Sequence, residues 1–151
     1  METLLPESDF LALLLLSVVA FGAATILPFQ SEVLFVALQL QASLSVLALI
    51  IAASIGNIAG SGVNYALGLA LEHFKDRRWF PVTETQLARA QRWYSRYGVW
   101  TLLLSWAPFG DALTVVAGVM RTRPAVFLAL VSTAKIGRYI ILAWLTAAVA
   151  G

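Results

Sequence analysis

Four long apolar blocks constrain the fold of this chain more than any other feature of its sequence. They cover residues 10–41, 44–71, 98–120 and 124–150 of a chain of 151 residues. Charged residues make up only 12% of the chain, against the roughly 25% that is usual in a soluble domain. Apolar runs of about 18 residues or more are typical of transmembrane helices. The sequence therefore predicts an integral membrane protein.

One long polar stretch, residues 72–97, separates the second block from the third. Its basic residues are Lys75, Arg77, Arg78, Arg89, Arg92 and Arg96. They outnumber the acidic residues, so the positive-inside rule predicts that this loop is cytoplasmic. Its second half begins with the capping-box pattern Thr83-x-x-Gln86. We expect an amphipathic interfacial helix here, with its arginines near anionic lipid headgroups.

The first and third blocks are each interrupted by a polar segment that contains a proline. These segments are Pro28-Phe29-Gln30-Ser31-Glu32 and Trp106-Ala107-Pro108-Phe109-Gly110-Asp111. The third block also has basic residues on both sides, which the positive-inside rule places on one face of the membrane. We therefore predict that each block forms a re-entrant helical hairpin, whose irregular turn must pack within protein or line a wet cavity. Two ordinary kinked passes are the alternative.

Two parts of the chain repeat each other in the same order. Residues 28–37 align with residues 108–117 at an offset of 80, and residues 47–57 align with residues 128–138 at an offset of 81. Each half then consists of a hairpin, which does not cross the membrane, and one helix, which crosses it once. One net crossing per half inverts the second half relative to the first. Inverted repeats with broken helices are typical of transporters.

The predicted fold is therefore a single all-α integral membrane domain that covers residues 1–151. It has two inverted repeats, about 10–71 and 98–150, each a re-entrant helical hairpin plus one transmembrane helix, joined by the amphipathic interfacial helix. In this topology both termini are non-cytoplasmic. The leading segment carries acidic residues and no basic one, so we interpret the first block as mature structure and not as a secretory signal. Two crossings leave a thin bundle, and we expect a homodimer.

Four ionisable residues fall inside the apolar blocks, where charge is costly and needs an explanation. Glu32 and Asp111 lie at the predicted hairpin turns, and Lys135 and Arg138 share a face of the last helix. In one interpretation they form ion pairs that only fix the hairpins against the helix. In the other they line a polar cavity, in which the bases bind an anionic group and an acid exchanges protons. Further candidates for the cavity lining are Asn57, Ser61, Asn64, Ser105 and Tyr139.

The usual signatures of soluble enzymes are absent from the sequence. It has no cysteine and one histidine, His73, which we interpret as an interfacial residue. It also has no glycine-rich phosphate loop, metal-ligand cluster or nucleophile elbow. We therefore predict a protein that is not an enzyme and that binds neither a metal, a cofactor nor nucleic acid.

Several loose motifs occur in an order and spacing typical of one protein family. They are Pro28-x-x-x-Glu32, Gly56-x-x-x-Gly60-x-x-x-x-Tyr65-x-x-Gly68, Tyr97-Gly98 before Pro108, and Ala117-Gly118-x-Met120-Arg121. They resemble the DedA family, whose members are also called SNARE-associated Golgi or VTT-domain proteins, and within it the short YqaA-like branch. The resemblance covers roughly residues 15–145 and implies two opposed re-entrant hairpins.

The resemblance also implies a function. It implies a lipid translocase or scramblase of the bacterial inner membrane, with undecaprenyl phosphate or a glycerophospholipid as its cargo. The proton motive force is the implied driver, and the family's acidic residue in the first hairpin falls on Glu32.

The chain departs from the family pattern in the second hairpin. The family usually carries arginines at the positions of Ser105 and Asp111. We therefore hypothesise that Lys135, Arg138 or Arg121 binds the lipid phosphate in this chain. A proton-coupled transporter of a small solute or ion is the second interpretation of the same residues. A membrane assembly or scaffold protein, with purely structural charges, is the third.

Overall fold

The computed structural model describes residues 4–25, 30–41, 44–70, 83–106 and 110–150 of the chain. All regular structure in these ranges is helical, which confirms the predicted all-α class. The α-helices there are α1 Leu4–Thr25, α2 Gln30–Gln41, α3 Val46–Leu69, α4 Glu84–Tyr97, α5 Asp111–Val119 and α6 Pro124–Ala150. A 3₁₀ helix, Gly98–Trp106, lies between α4 and α5.

Two of these helices are long and apolar enough to cross a membrane, α3 with 24 residues and α6 with 27. An 18-residue stretch within each helix has a mean hydropathy of 1.9 in α3 and 1.7 in α6. At about 1.5 Å of rise per residue, α6 is about 40 Å long, which exceeds the roughly 30 Å of a hydrocarbon core. Large apolar side chains such as Ile55, Ile141 and Trp144 are exposed on these two helices. Such an outward apolar surface suits contact with lipid.

The breaks of both predicted hairpins fall between separate helices. α1 and α2 are distinct and contact each other, and the 3₁₀ helix and α5 are distinct and also in contact. Pro28 and Pro108 lie outside the described residues, as do residues 71–82 of the basic linker. Entry and exit of each hairpin by one membrane face stays a prediction, as does the inversion of the repeats.

α3 lies at the centre of the helix packing and contacts α1, α5 and α6. Its glycines allow the close approach, since a Cβ added at Gly56 would lie 1.9 Å from the backbone oxygen of Ser17 in α1. A Cβ added at Gly68 would lie 2.0 Å from the backbone oxygen of Val115 in α5. Small residues at helix crossings are typical of membrane proteins. These glycines therefore allow the backbone of α3 to pack directly against the backbones of α1 and α5.

α4 is the amphipathic helix predicted in the polar linker. Its capping box is present, with Gln86 N donating to Thr83 Oγ1 at 3.2 Å and Thr83 N donating to Gln86 Oε1 at 3.1 Å. Ala90 and Tyr94 are buried in a cluster with residues of the 3₁₀ helix and α5, whereas the arginines of α4 are exposed. The helix thus packs its apolar face on the second predicted hairpin.

Candidate functional site

The last helix, α6, carries two cationic side chains near the middle of its length. At about 1.5 Å per residue, Lys135 lies about 16 Å and Arg138 about 21 Å from the first residue of α6, Pro124. Both therefore lie close to the midpoint of a helix that is about 40 Å long. In a helix that spans a bilayer, this is the depth at which charge is most costly.

Each cation is paired with the acid of a different predicted hairpin. Lys135 Nζ lies 2.9 Å from Asp111 Oδ1, and Arg138 Nη2 forms an ion pair with Glu32 Oε1. Asp111 begins α5 and Glu32 lies in the first turn of α2, where the positive end of the helix dipole favours a carboxylate. The structure thus pairs all four charged residues that the sequence singled out within the apolar blocks.

The two ion pairs differ in exposure. The Lys135 side chain is 1% exposed and that of Asp111 is 29% exposed, whereas Arg138 and Glu32 are 18% and 30% exposed. An external anion can therefore reach Lys135 only if the carboxylate of Asp111 moves away. The pair of Arg138 and Glu32 is the more accessible of the two.

A buried tyrosine lies beside the more accessible pair. Tyr139 Oη and Ser31 Oγ are 3.1 Å apart, and the ring of Phe35 packs on that of Tyr139 with 5.5 Å between centroids. Ser31 directly precedes Glu32, and Tyr139 directly follows Arg138. The hydrogen bond and the ion pair therefore join the same turns of α2 and α6.

A stripe of buried polar side chains runs along α3, and we call Ser54, Asn57, Ser61 and Asn64 the α3 polar stripe. Asn57 Nδ2 donates to the backbone oxygen of Ala20 at 3.1 Å. Asn64 Nδ2 donates to the backbone oxygen of Ala24 at 2.8 Å and to Thr114 Oγ1 at 3.1 Å. The stripe therefore ties α3 to α1 on one side and to α5 on the other.

Several oxygens near this stripe have no hydrogen-bond partner among the described residues. They are Ser54 Oγ, Asn57 Oδ1 and Asn64 Oδ1, with Ser105 Oγ in the 3₁₀ helix. Buried oxygens of this kind commonly bind ordered water. Asn64 also connects to the ion pair of Lys135 and Asp111, because Thr114 Oγ1 donates to the backbone oxygen of Asp111 at 2.6 Å. The predicted cavity-lining residues are thus buried between helices, and their contact with a cavity stays a prediction.

Comparison with known proteins identifies the family of this chain. The family model of the VTT domain matches residues 11–148. The chain belongs to the VTT-domain family, also called the DedA family. The resemblance that the spaced motifs indicate is therefore confirmed, and the family is one of membrane proteins.

Relatives within the VTT-domain family cover most of the chain. Inner membrane protein YqaA of Escherichia coli is 39% identical over 117 residues, 76% of each chain, and the protein of the same name in Shigella flexneri is equally similar. An uncharacterized protein of Haemophilus influenzae is 35% identical over 138 residues, 84% of this chain and 82% of the relative. No solved structure matches the chain.

One predicted site residue of this VTT-domain protein lies apart from the ion pairs. Arg121 is exposed in the connection between α5 and α6, where its N–H donates to the backbone oxygen of Gly118 at 3.0 Å. Its φ of 54° is left-handed, which helps to end α5. It precedes the first turn of α6, whereas Lys135 lies about 16 Å along that helix. The structure therefore does not bring Arg121 to the four paired charges.

Two polar residues of the site were not singled out in the sequence, Ser31 and Thr114. Ser31 occupies the position of Asp111 in the repeat alignment, which is a signal that could have identified it. Thr114 is a polar residue within an apolar block, and buried polar groups need hydrogen-bond partners.

The hydrogen bond between Ser31 and Tyr139 should stabilise the contact of α2 with α6. We expect Tyr139→Phe to lower the free energy of unfolding by about 1 kcal/mol, because the hydrogen bond is lost. The loss is no larger because the ring still packs on Phe35. Ser31→Ala should cost about the same, and the double variant should cost little more than either single change. Equilibrium unfolding in detergent micelles measures all four proteins. Strictly additive losses would show that the two hydroxyls do not interact.

Proposed function

We propose that this chain is a membrane lipid translocase, acting as a flippase or scramblase, for an anionic lipid such as undecaprenyl phosphate or a glycerophospholipid. Two relatives are named inner membrane proteins, and we place this chain in a bacterial inner membrane as well. In the proposed topology the loop at residues 72–97 is cytoplasmic and both termini are non-cytoplasmic. In this proposal the protein binds membrane lipids and protons, and it functions as a homodimer.

The observation that carries this proposal is the pairing of Arg138 with Glu32 near the middle of α6, where both side chains stay partly exposed. A charge at the centre of a membrane helix costs about 2.5–3.5 kcal/mol on insertion scales. An apolar replacement of a buried ion pair is often neutral or stabilising, so structure alone gives little reason to keep such pairs. Two ion pairs at this depth therefore support the interpretation that these charges have a function beyond stabilising the fold.

The proposed mechanism exchanges one anion for another at these cations. Protonation of Glu32 or Asp111 removes the negative charge that holds Arg138 or Lys135. The freed base then binds the lipid phosphate, for which guanidinium geometry is well suited. The acyl chains stay in the bilayer, against exposed apolar side chains of the spanning helices. Loss of the proton returns the carboxylate to its base and releases the phosphate.

Lipid movement in proteoliposomes tests this proposal. Glu32→Gln combined with Arg138→Gln removes the more accessible pair without leaving an unpaired charge. We expect the translocation rate of a headgroup-labelled phosphatidylglycerol to fall about tenfold or more, because the phosphate loses its principal cation. The matched control is Thr133→Ala, an exposed change on α6 that removes only a hydrogen bond to the backbone of Ala129 in the same helix. Equal rates for all three proteins would contradict the proposal.

A second candidate function is a proton-coupled transporter of a small solute or ion. The unpartnered oxygens of the α3 polar stripe favour it, since buried polar groups of this kind suit a narrow wet path. Solute uptake that depends on Glu32, without any lipid movement, would support this function over the first. If neither lipid nor solute moves and removal of the charges only weakens the fold, the chain is a scaffold protein.

A further inference from the structure

A cavity of about 440 Å³ lies between the amphipathic helix α4 and the second predicted hairpin. Its polar side is formed by residues of α4 that include Gln86 and Arg89, with Trp93 beside them. Its apolar side is formed by Leu104 of the 3₁₀ helix together with Ala112 and Leu113 of α5. We call this space the α4 cavity. Its volume falls in the range of roughly 300–1,000 Å³ that is typical of ligand sites.

We propose that the α4 cavity is a docking site for an anionic phospholipid. In this assignment the lipid phosphate binds the guanidinium of Arg89, and the first part of an acyl chain lies against Leu104 and Leu113. Arginine presents a planar fork of donors that matches a phosphate group. The cavity therefore offers one cation and one apolar wall, which is the pattern that an amphipathic anion requires.

The surroundings of Arg89 favour a lipid over a soluble anion. Arg92 and Arg96 are exposed on the same helix, and each basic residue near an anionic membrane surface adds about 1 kcal/mol of attraction. Trp93 is exposed beside Arg89, and tryptophan is enriched at membrane–water interfaces. The described part of the chain shows no ion pair between Arg89 and a carboxylate.

The lining of the α4 cavity includes the residue that precedes one member of an ion pair. Gly110 lines the cavity, and the next residue, Asp111, is the partner of Lys135. A lipid in the cavity would therefore sit beside the turn that carries one of the two intramembrane acids. The role of the α4 cavity in collecting lipid before translocation rests on the proposed function. The binding of lipid to the cavity can be measured separately.

Native mass spectrometry of the purified full chain tests the docking site with phosphatidylglycerol and phosphatidylcholine as probes. We expect the wild-type protein to retain phosphatidylglycerol in preference to phosphatidylcholine. Arg89→Gln should reduce the retention of phosphatidylglycerol about fivefold or more. The matched control is Arg92→Gln, which removes the same charge from an exposed position of α4 that does not line the cavity. It should reduce retention less than about twofold, because only general attraction is lost.

A second variant tests the apolar wall. Leu104 is 41% exposed, so Leu104→Gln should leave the fold intact while it weakens contact with an acyl chain. We expect it to reduce photo-crosslinking of an acyl-diazirine phosphatidylglycerol to the 3₁₀ helix, without changing the retention order of the two lipids. Unchanged crosslinking in both Leu104→Gln and Arg89→Gln would overturn the site.

Three other outcomes separate the possible explanations. Equal losses in Arg89→Gln and Arg92→Gln would show diffuse attraction to the basic helix and would overturn the proposal. Displacement of phosphatidylglycerol by millimolar inorganic phosphate would show a free-anion site and would also overturn it. Loss of binding in Arg89→Gln, with binding retained in the double variant of Glu32 and Arg138, would support the docking site whether or not either protein moves lipid.

Discussion

Asp111→Ala should lower the free energy of unfolding by about 3–5 kcal/mol, the usual cost of removing one partner of a buried ion pair. The reason is the burial of Lys135, whose side chain is 1% exposed and whose ammonium lies 2.9 Å from the Asp111 carboxylate. Without that carboxylate, the ammonium must stay charged in an apolar interior, lose its proton or pull the helices apart. Unfolding by heat or by denaturing detergent in mixed micelles measures the loss.

The control for this prediction removes both charges together. Asp111→Ala combined with Lys135→Met leaves no unpaired charge, and we expect it to recover most of the lost stability, because apolar replacement of a buried pair is often close to neutral. Glu32→Ala should cost less than Asp111→Ala, since Arg138 is 18% exposed and is therefore less completely desolvated than Lys135, which is 1% exposed. Wild-type stability in Asp111→Ala would show that the pair does not hold α5 against α6.

Gly68→Val should lower the free energy of unfolding by about 3 kcal/mol, at the upper end of the usual cost of overpacking. A Cβ at Gly68 would lie 2.0 Å from the backbone oxygen of Val115, and backbone cannot move aside as a flexible side chain can. α3 and α5 would have to separate. That separation would break the hydrogen bond between Asn64 and Thr114 as well. The same unfolding assay, with size-exclusion chromatography for the folded fraction, measures the effect.

The same substitution at Gly62 provides the matched control. Gly62 lies on the same helix, and a Cβ added there meets nothing within 4 Å. Gly62→Val should therefore change stability by less than about 0.5 kcal/mol, as expected for a site away from packing contacts. If the two valine variants were equally stable, the crossing of α3 with α5 would not depend on the absence of a side chain at Gly68.

The helices of this chain could be predicted from short segments of sequence. The apolar blocks at residues 44–71 and 124–150 correspond to α3 and α6, and the pattern Thr83-x-x-Gln86 marks the start of α4. These features are local, because apolar length and a capping box act within a few turns of one helix. The 3₁₀ geometry of Gly98–Trp106 was not predicted, since it depends on contacts with α5 and α6.

The members of the candidate site could be selected for a similar reason. A charge within an apolar run is costly whatever its neighbours are, so Glu32, Asp111, Lys135 and Arg138 stand out without any structure. Arg121 was a hypothesis based on the departure of this chain from the family's arginine positions and not on its setting, and the structure places it outside the four paired charges. Ser31 was passed over, although it is buried and bonded to Tyr139.

The sequence by itself determined that the chain forms apolar helices and which charged groups lie among them, because those properties follow from each residue and its near neighbours. Only the tertiary structure decided which acid meets which base. Lys135 and Arg138 share one helix face, so either could have faced Asp111, which is 24 residues from Lys135 along the chain. The choice depends on where helix backbones cross, and contacts such as that of Gly68 with Val115 set those crossings between distant parts of the chain.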